Sequence, residues 1–85
     1  MDIRKIREED IERVYTLNTW TDDKKEEVRK ALETGKWVYL GSTAIGHTRA
    51  EMTERAGLKW LEEEYGNVIQ MVQCEGRSDI VSRLR

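Results

Sequence analysis

Proline and phenylalanine are missing from this 85-residue sequence, and cysteine occurs once, at Cys74. Without proline, and without any stretch rich in glycine and serine, nothing marks a linker, so residues 1–85 read as a single domain. One cysteine cannot close an internal disulfide, and neither a second cysteine nor a nearby histidine offers metal-ligand spacing. No metal and no cofactor are expected. Charge of one sign is lacking too: 15 Lys and Arg stand against 17 Asp and Glu, a balance of −2. That balance gives no basic footprint for nucleic acid or an anionic membrane, so neither is expected as a partner. No apolar run approaches the ~20 residues of a membrane span, and Met1 to Arg7 is charged where a secretory signal needs apolar residues. The expectation is a soluble, cytoplasmic protein.

What is present must build a core from little. Ile, Leu and Val number 18, which is about 21% of the chain and sits just above the composition of disordered proteins. Three Trp and three Tyr compensate. For 10.0 kDa, surface scaling gives about 5,200 Å² folded against about 14,500 Å² unfolded, enough for one thin core.

Periodicity then assigns elements. Ile3 and Ile6 within Asp2 to Arg7 read as a short strand. Glu8 to Asn18 places Ile11, Val14, Tyr15 and Asn18 at helical spacing behind three acids that favour a helix N-terminus. Thr21 fits the N-cap of a second helix, Asp22 to Thr34, closed by Gly35 and carrying a narrow stripe of Val28, Ala31 and Leu32. Lys36 to Leu40 is a strand, and Gly41 to His47 a turn or a further short strand. Thr48-Arg49-Ala50-Glu51 has the capping-box pattern and opens a helix running to about Tyr65, ended by Gly66 and Asn67. Along it, Met52, Ala56 and Trp60 form one apolar set, and Leu58, Leu61 and Tyr65 another on a different side. One sheet cannot cover both, so a further helix or a second chain is expected outside. Val68 to Cys74 reads as a buried strand, and Ser78 as the cap of a last helix, Asp79 to Arg85. The expected class is α+β, or a small α/β fold, with about three strands in the order β-α-α-β-α-β-α. If the Trp37 and Val68 strands run parallel, the helix from Thr48 is a right-handed crossover.

Chemistry-bearing patterns are few. Gly41-Ser42-Thr43-Ala44-Ile45-Gly46-His47-Thr48 has nearly the spacing of a phosphate loop, with His47 in place of the lysine that holds phosphate charge. A nucleotide triphosphatase is excluded on that substitution and on size. The weaker reading is an anion or nucleotide ligand held by Gly41, Ser42, Thr43, Gly46, His47, Thr48 and Arg49 at a helix N-terminus. One histidine and no nucleophile elbow leave hydrolytic triads without their parts, and Glu62, Glu63 and Glu64 point about 100° apart along a helix. No catalytic residue is expected, and the chain is not expected to be an enzyme. Cys74 fits a small apolar filler. Arg77, Arg83 and Arg85 read as a charged helix end, and a helix-turn-helix around Ala56-Gly57 would turn Glu62 to Glu64 towards a DNA backbone. Trp37 and Trp60 are assigned to the core, and Trp20 to either a staple over the second helix or an exposed anchor.

Ile3-Arg4-Lys5-Ile6-Arg7-Glu8-Glu9-Asp10-Ile11, then Val14 and Leu17-Asn18, resembles the opening strand and helix of GCN5-related acetyltransferases. The acetyl-CoA loop of that family has no counterpart here, so its activity is set aside. Residues 35–65 resemble HicB-type antitoxins through Gly41, Gly46, Thr48 and Glu51, followed by Ala56, Leu58 and Trp60-Leu61-Glu62. This second resemblance implies a small αβ scaffold that dimerises and blocks a partner protein. Together with the two-sided helix, it makes the leading expectation a non-catalytic interaction module. Such a module would be an antitoxin-like or phage-type inhibitor, or an adaptor, that binds a larger protein, homodimerises, or both. Its expected contacts are Trp20, Leu58, Leu61 and Tyr65.

Overall fold

The second predicted helix forms where its cap and stripe place it. In the computed structural model, which describes residues 5–14, 19–44 and 46–84 with the side chains of Thr43, Ala44 and Cys74 outside the description, α1 spans Asp22–Glu33. The Thr21 hydroxyl accepts from the Lys24 amide at 3.2 Å, and Val28, Ala31 and Leu32 are its buried residues. Gly35, at φ +80°, takes the left-handed position after it.

The strand that follows, β2 (Trp37–Ala44), is longer than expected, because Gly41 to Ala44 continue it. Tyr39 pairs with Val81 and Gly41 with Ile80, so Leu40 is an inserted residue, and Gly41 takes φ +137° to accommodate the bulge. The predicted helix from Glu8 to Asn18 is absent from its described part. Glu8–Asp10 makes one 3-10 turn with no side-chain cap, and Ile11–Arg13 forms β1 beside β2 in parallel register. Pairing with a strong strand overrides the local helical spacing. Residues 5–7 hold no strand, while Asp2 to Arg4 and Tyr15 to Asn18 fall outside the described residues.

The single helix expected from Thr48 to Tyr65 is two: α2 (Arg49–Arg55) and α3 (Lys59–Tyr65). The capping box at Thr48 and Glu51 is present. Gly57, at φ +67°, turns the chain between the helices, and the Leu58 amide donates back to the Thr53 carbonyl at 2.9 Å. The break reorients the second apolar set. Met52, Leu58 and Leu61 therefore enter one core, and the expected outer helix or second chain is not needed to cover them.

After β3 (Ile69–Cys74), the predicted last helix is instead β4 (Arg77–Ser82). Glu75 and Gly76 form a two-residue hairpin loop with φ of +31° and +78°, the left-handed pair that suits tight antiparallel strands. Ser78 is a buried strand residue, not a cap. The sheet order is β1-β2-β4-β3, so β2 and β3 run in the same direction with antiparallel β4 between them. The class is α+β, with four strands among the described residues where about three were expected. No helix among the described residues is long and apolar enough to cross a membrane.

Candidate interaction surface

Strand alternation splits the sheet into two unlike faces. Val38 and Leu40 of β2 join Ile69, Ile80, Val14 and the buried apolar residues of α1, α2 and α3 in the main core. On the reverse face Ile11, Val72 and Val81 are buried, with Ile6, Trp37 and Tyr39 packed against them, and no described helical residue belongs to that cluster.

Trp37 and Tyr39 are half-buried and each lies under an arginine. The Arg13 guanidinium sits 5.1 Å from the Tyr39 ring centre, and that of Arg83 5.3 Å from the Trp37 ring centre. Both cations are oriented: Arg13 pairs with Glu8 at 2.8 Å, and Arg83 Nε donates to the Gly35 carbonyl at 3.0 Å. Trp37 and Arg83 also border two cavities, one of about 360 Å³ reaching Ile6, Asp10 and Lys36, the other of about 410 Å³ reaching Gln70 and Leu84. Beneath this face Asp79 is wholly buried. Its Oδ1 receives the Tyr39 hydroxyl at 3.4 Å and lies 3.3 Å from Arg77 Nε, while Oδ2 has no partner. The Tyr39 ring is thereby tied from below and capped by a cation from above.

The expected contact residues are dispersed. Leu58 and Leu61 are both 0% exposed, so they are core and present no surface; the break at Gly57 turns them inward. Trp20 is the staple of the two alternatives. Its indole N–H donates to the Ala56 carbonyl at 2.8 Å, and its ring meets Trp60 edge-on at 5.4 Å, fixing the start of α1 against the corner between α2 and α3. Tyr65 is half-buried, and burial, then the neighbouring Glu64 carboxylate, pushes its hydroxyl pKa up. Around Trp60, Lys25 and Arg29 lie over the ring, and Arg29 holds Glu64 through both carboxylate oxygens. These contacts join α1 to α3.

The phosphate-loop-like residues do not converge either. Gly41, Ser42 and Thr43 are paired to β4, and Gly46 alone turns, at φ +116°. At Thr48 the helix opening already holds a carboxylate. Glu51 accepts from the Thr48 amide and hydroxyl at 3.3 and 3.0 Å, and those bonds, with His47 nearby at 3.5 Å, lower its pKa. Arg49 points elsewhere, to the Ile69 carbonyl at 2.8 Å, Glu62 at 2.6 Å and Asn67 at 2.8 Å. Of the donors the anion reading relies on, the Thr48 amide and hydroxyl and the Arg49 guanidinium are thus engaged within the chain.

Sequence reasoning placed Trp37 in the core, read Arg83 as part of a charged helix end where the chain instead leaves strand β4, and passed over Tyr39 and Arg13. A signal was present: Trp37-Val38-Tyr39-Leu40 alternates aromatic and aliphatic, which separates the two faces of β2. Comparison with family models, with curated proteins and with solved structures returned no match.

Proposed function

We propose that the chain is a non-catalytic interaction module, an inhibitor or adaptor, that binds a larger protein through the sheet face that carries Trp37 and Tyr39. The observation that carries this reading is the pair of arginine-capped aromatics, Trp37 under Arg83 and Tyr39 under Arg13, on a face that no described helix covers. Trp, Tyr and Arg are the residue types that dominate binding energy at protein interfaces. Rings and cations that are already oriented lose little side-chain freedom on docking. The resemblance of residues 35–65 to HicB-type antitoxins implies the same class.

The test is affinity capture with the full chain, its Arg83→Glu and Arg13→Glu variants, and a helix-face control, Lys30→Glu, with masses of bound proteins read by mass spectrometry. A stoichiometric companion is expected with the native chain and the control, and is lost from both arginine variants while their circular dichroism is unchanged. Retention of that companion by both arginine variants would overturn the reading.

A further inference from the structure

The two borders of the sheet are defended unequally. β1 is three residues long and carries Glu12 and Arg13, the former held by Lys36 at 3.2 Å. β3 is six residues, Ile69-Gln70-Met71-Val72-Gln73-Cys74, with no charge and no proline, in a chain that is 38% charged. Short length, charge and proline are what keep border strands from pairing with another chain, and β3 has none of them.

Its unpaired backbone groups can be assigned. The Arg83 amide donates to the Val68 carbonyl, so by antiparallel alternation Val68, Gln70, Val72 and Cys74 turn their main chain towards β4, and Ile69, Met71 and Gln73 turn theirs outward. Of the outward groups, the Ile69 carbonyl is taken by Arg49 at 2.8 Å. The N–H and C=O of Met71 and Gln73 have no partner among the described residues.

We propose that the chain forms a homodimer by antiparallel pairing of β3 with β3 of a second copy, centred on Val72. That register sets Met71 opposite Gln73 of the second copy, twice, and each such pair exchanges two N–H···O bonds. A register centred on Met71 would need the Ile69 carbonyl, which Arg49 occupies. The Val72 register needs no such group. It also brings Glu75 of the second copy alongside Ile69, and so beside Arg49, setting opposite charges together at both ends of the junction. The two-fold axis stands normal to the sheet, so both helix layers lie on one side and both aromatic faces on the other.

The inference does not rest on the aromatic face being a docking site, and its test uses the purified chain alone. Sedimentation equilibrium is expected to give twice the 10.0 kDa chain mass. Gln73→Pro removes an outward N–H and no bond of the chain's own ladder, so it should sediment at the single-chain mass with its circular dichroism retained. Gln73→Lys, which adds border charge without touching the backbone, should weaken the dimer at least tenfold. In a Cys74→Ser background, Val72→Cys should cross-link to itself on mild oxidation, because opposed non-hydrogen-bonded residues lie about 4.5 Å apart at Cα, within disulfide reach. A native chain at single-chain mass at its highest soluble concentration would overturn the proposal, as would a dimeric Gln73→Pro. A dimer in which Val72→Cys does not cross-link would overturn the register.

Discussion

The two faces of the sheet, one packed by the described helices and one not, come from the same strands yet bury different things. Among the described residues the first gathers eleven buried apolar side chains from every helix and most strands, all aliphatic or Met, and the second only Ile11, Val72 and Val81. The face packed by helices leaves its aromatics, Trp20, Trp60 and Tyr65, partly buried at the rim of its core, and Trp20 and Trp60 join helices to one another. The other face holds Trp37, at the start of β2, and Tyr39 under cations. Side chains that hold the fold and side chains fit for recognition are thus sorted by strand alternation within single strands, Val38 and Leu40 one way, Trp37 and Tyr39 the other.

Substitutions should separate these roles, and the largest effect lies on the covered face. Leu61→Ala, at a fully buried site, should cost about 2–5 kcal/mol in urea unfolding. Trp37→Ala removes a half-buried ring and should cost about 1–2 kcal/mol, below the ~1.5–3 kcal/mol range for a fully buried apolar side chain at its upper end; a loss matching that of Leu61→Ala would make the two faces energetic equals. Thr48→Ala deletes one arm of the capping box and should cost about 1 kcal/mol, read the same way. A smaller effect comes from pH. Glu51 and Glu64 are both held below the ordinary value of 4.5, Glu51 by Thr48 and Glu64 by Arg29. A lowered folded-state value means the ionised carboxylate is favoured in the fold, so their contribution is present above about pH 4.5 and is lost as pH falls through the folded values. The melting temperature should therefore decline on acidification, and decline less steeply in Glu51→Gln. The smallest change is expected for Arg83→Glu, about 0.5–1 kcal/mol, since it removes an exposed cation from the Trp37 ring and its bond to the Gly35 carbonyl.

Local signals carried the elements whose causes are local. Thr21 and Gly35 bound α1, Thr48 and Glu51 open α2, and the apolar run before Cys74 is β3. The elements set by distant partners were not legible. Ile11 sits at helical spacing from Val14 but is claimed by β2, and Asp79-Ile80-Val81 became a strand because β2 and β3 both needed a neighbour. Gly57 was visible as a residue, yet its consequence, a turn that brings Leu58 and Leu61 into the core, depends on where the sheet lies. The candidate surface was half legible for the same reason: the aromatic and aliphatic residues of β2 could be told apart by alternation, while which face lacked helices could not.

Strand order also sets an order of assembly. β3 and β4 are joined by two residues and can zip as a hairpin within microseconds. β2 reaches β4 only by bringing Val38 to Ser82 across both short helices, a closure whose entropy must be met before its ladder forms. Since α2 and α3 are seven residues each, too short to persist alone, they gain their footing only when that closure occurs. β4 is therefore the keystone, and the whole chain should unfold in a single concerted transition, with no helical remnant surviving the loss of its central strand.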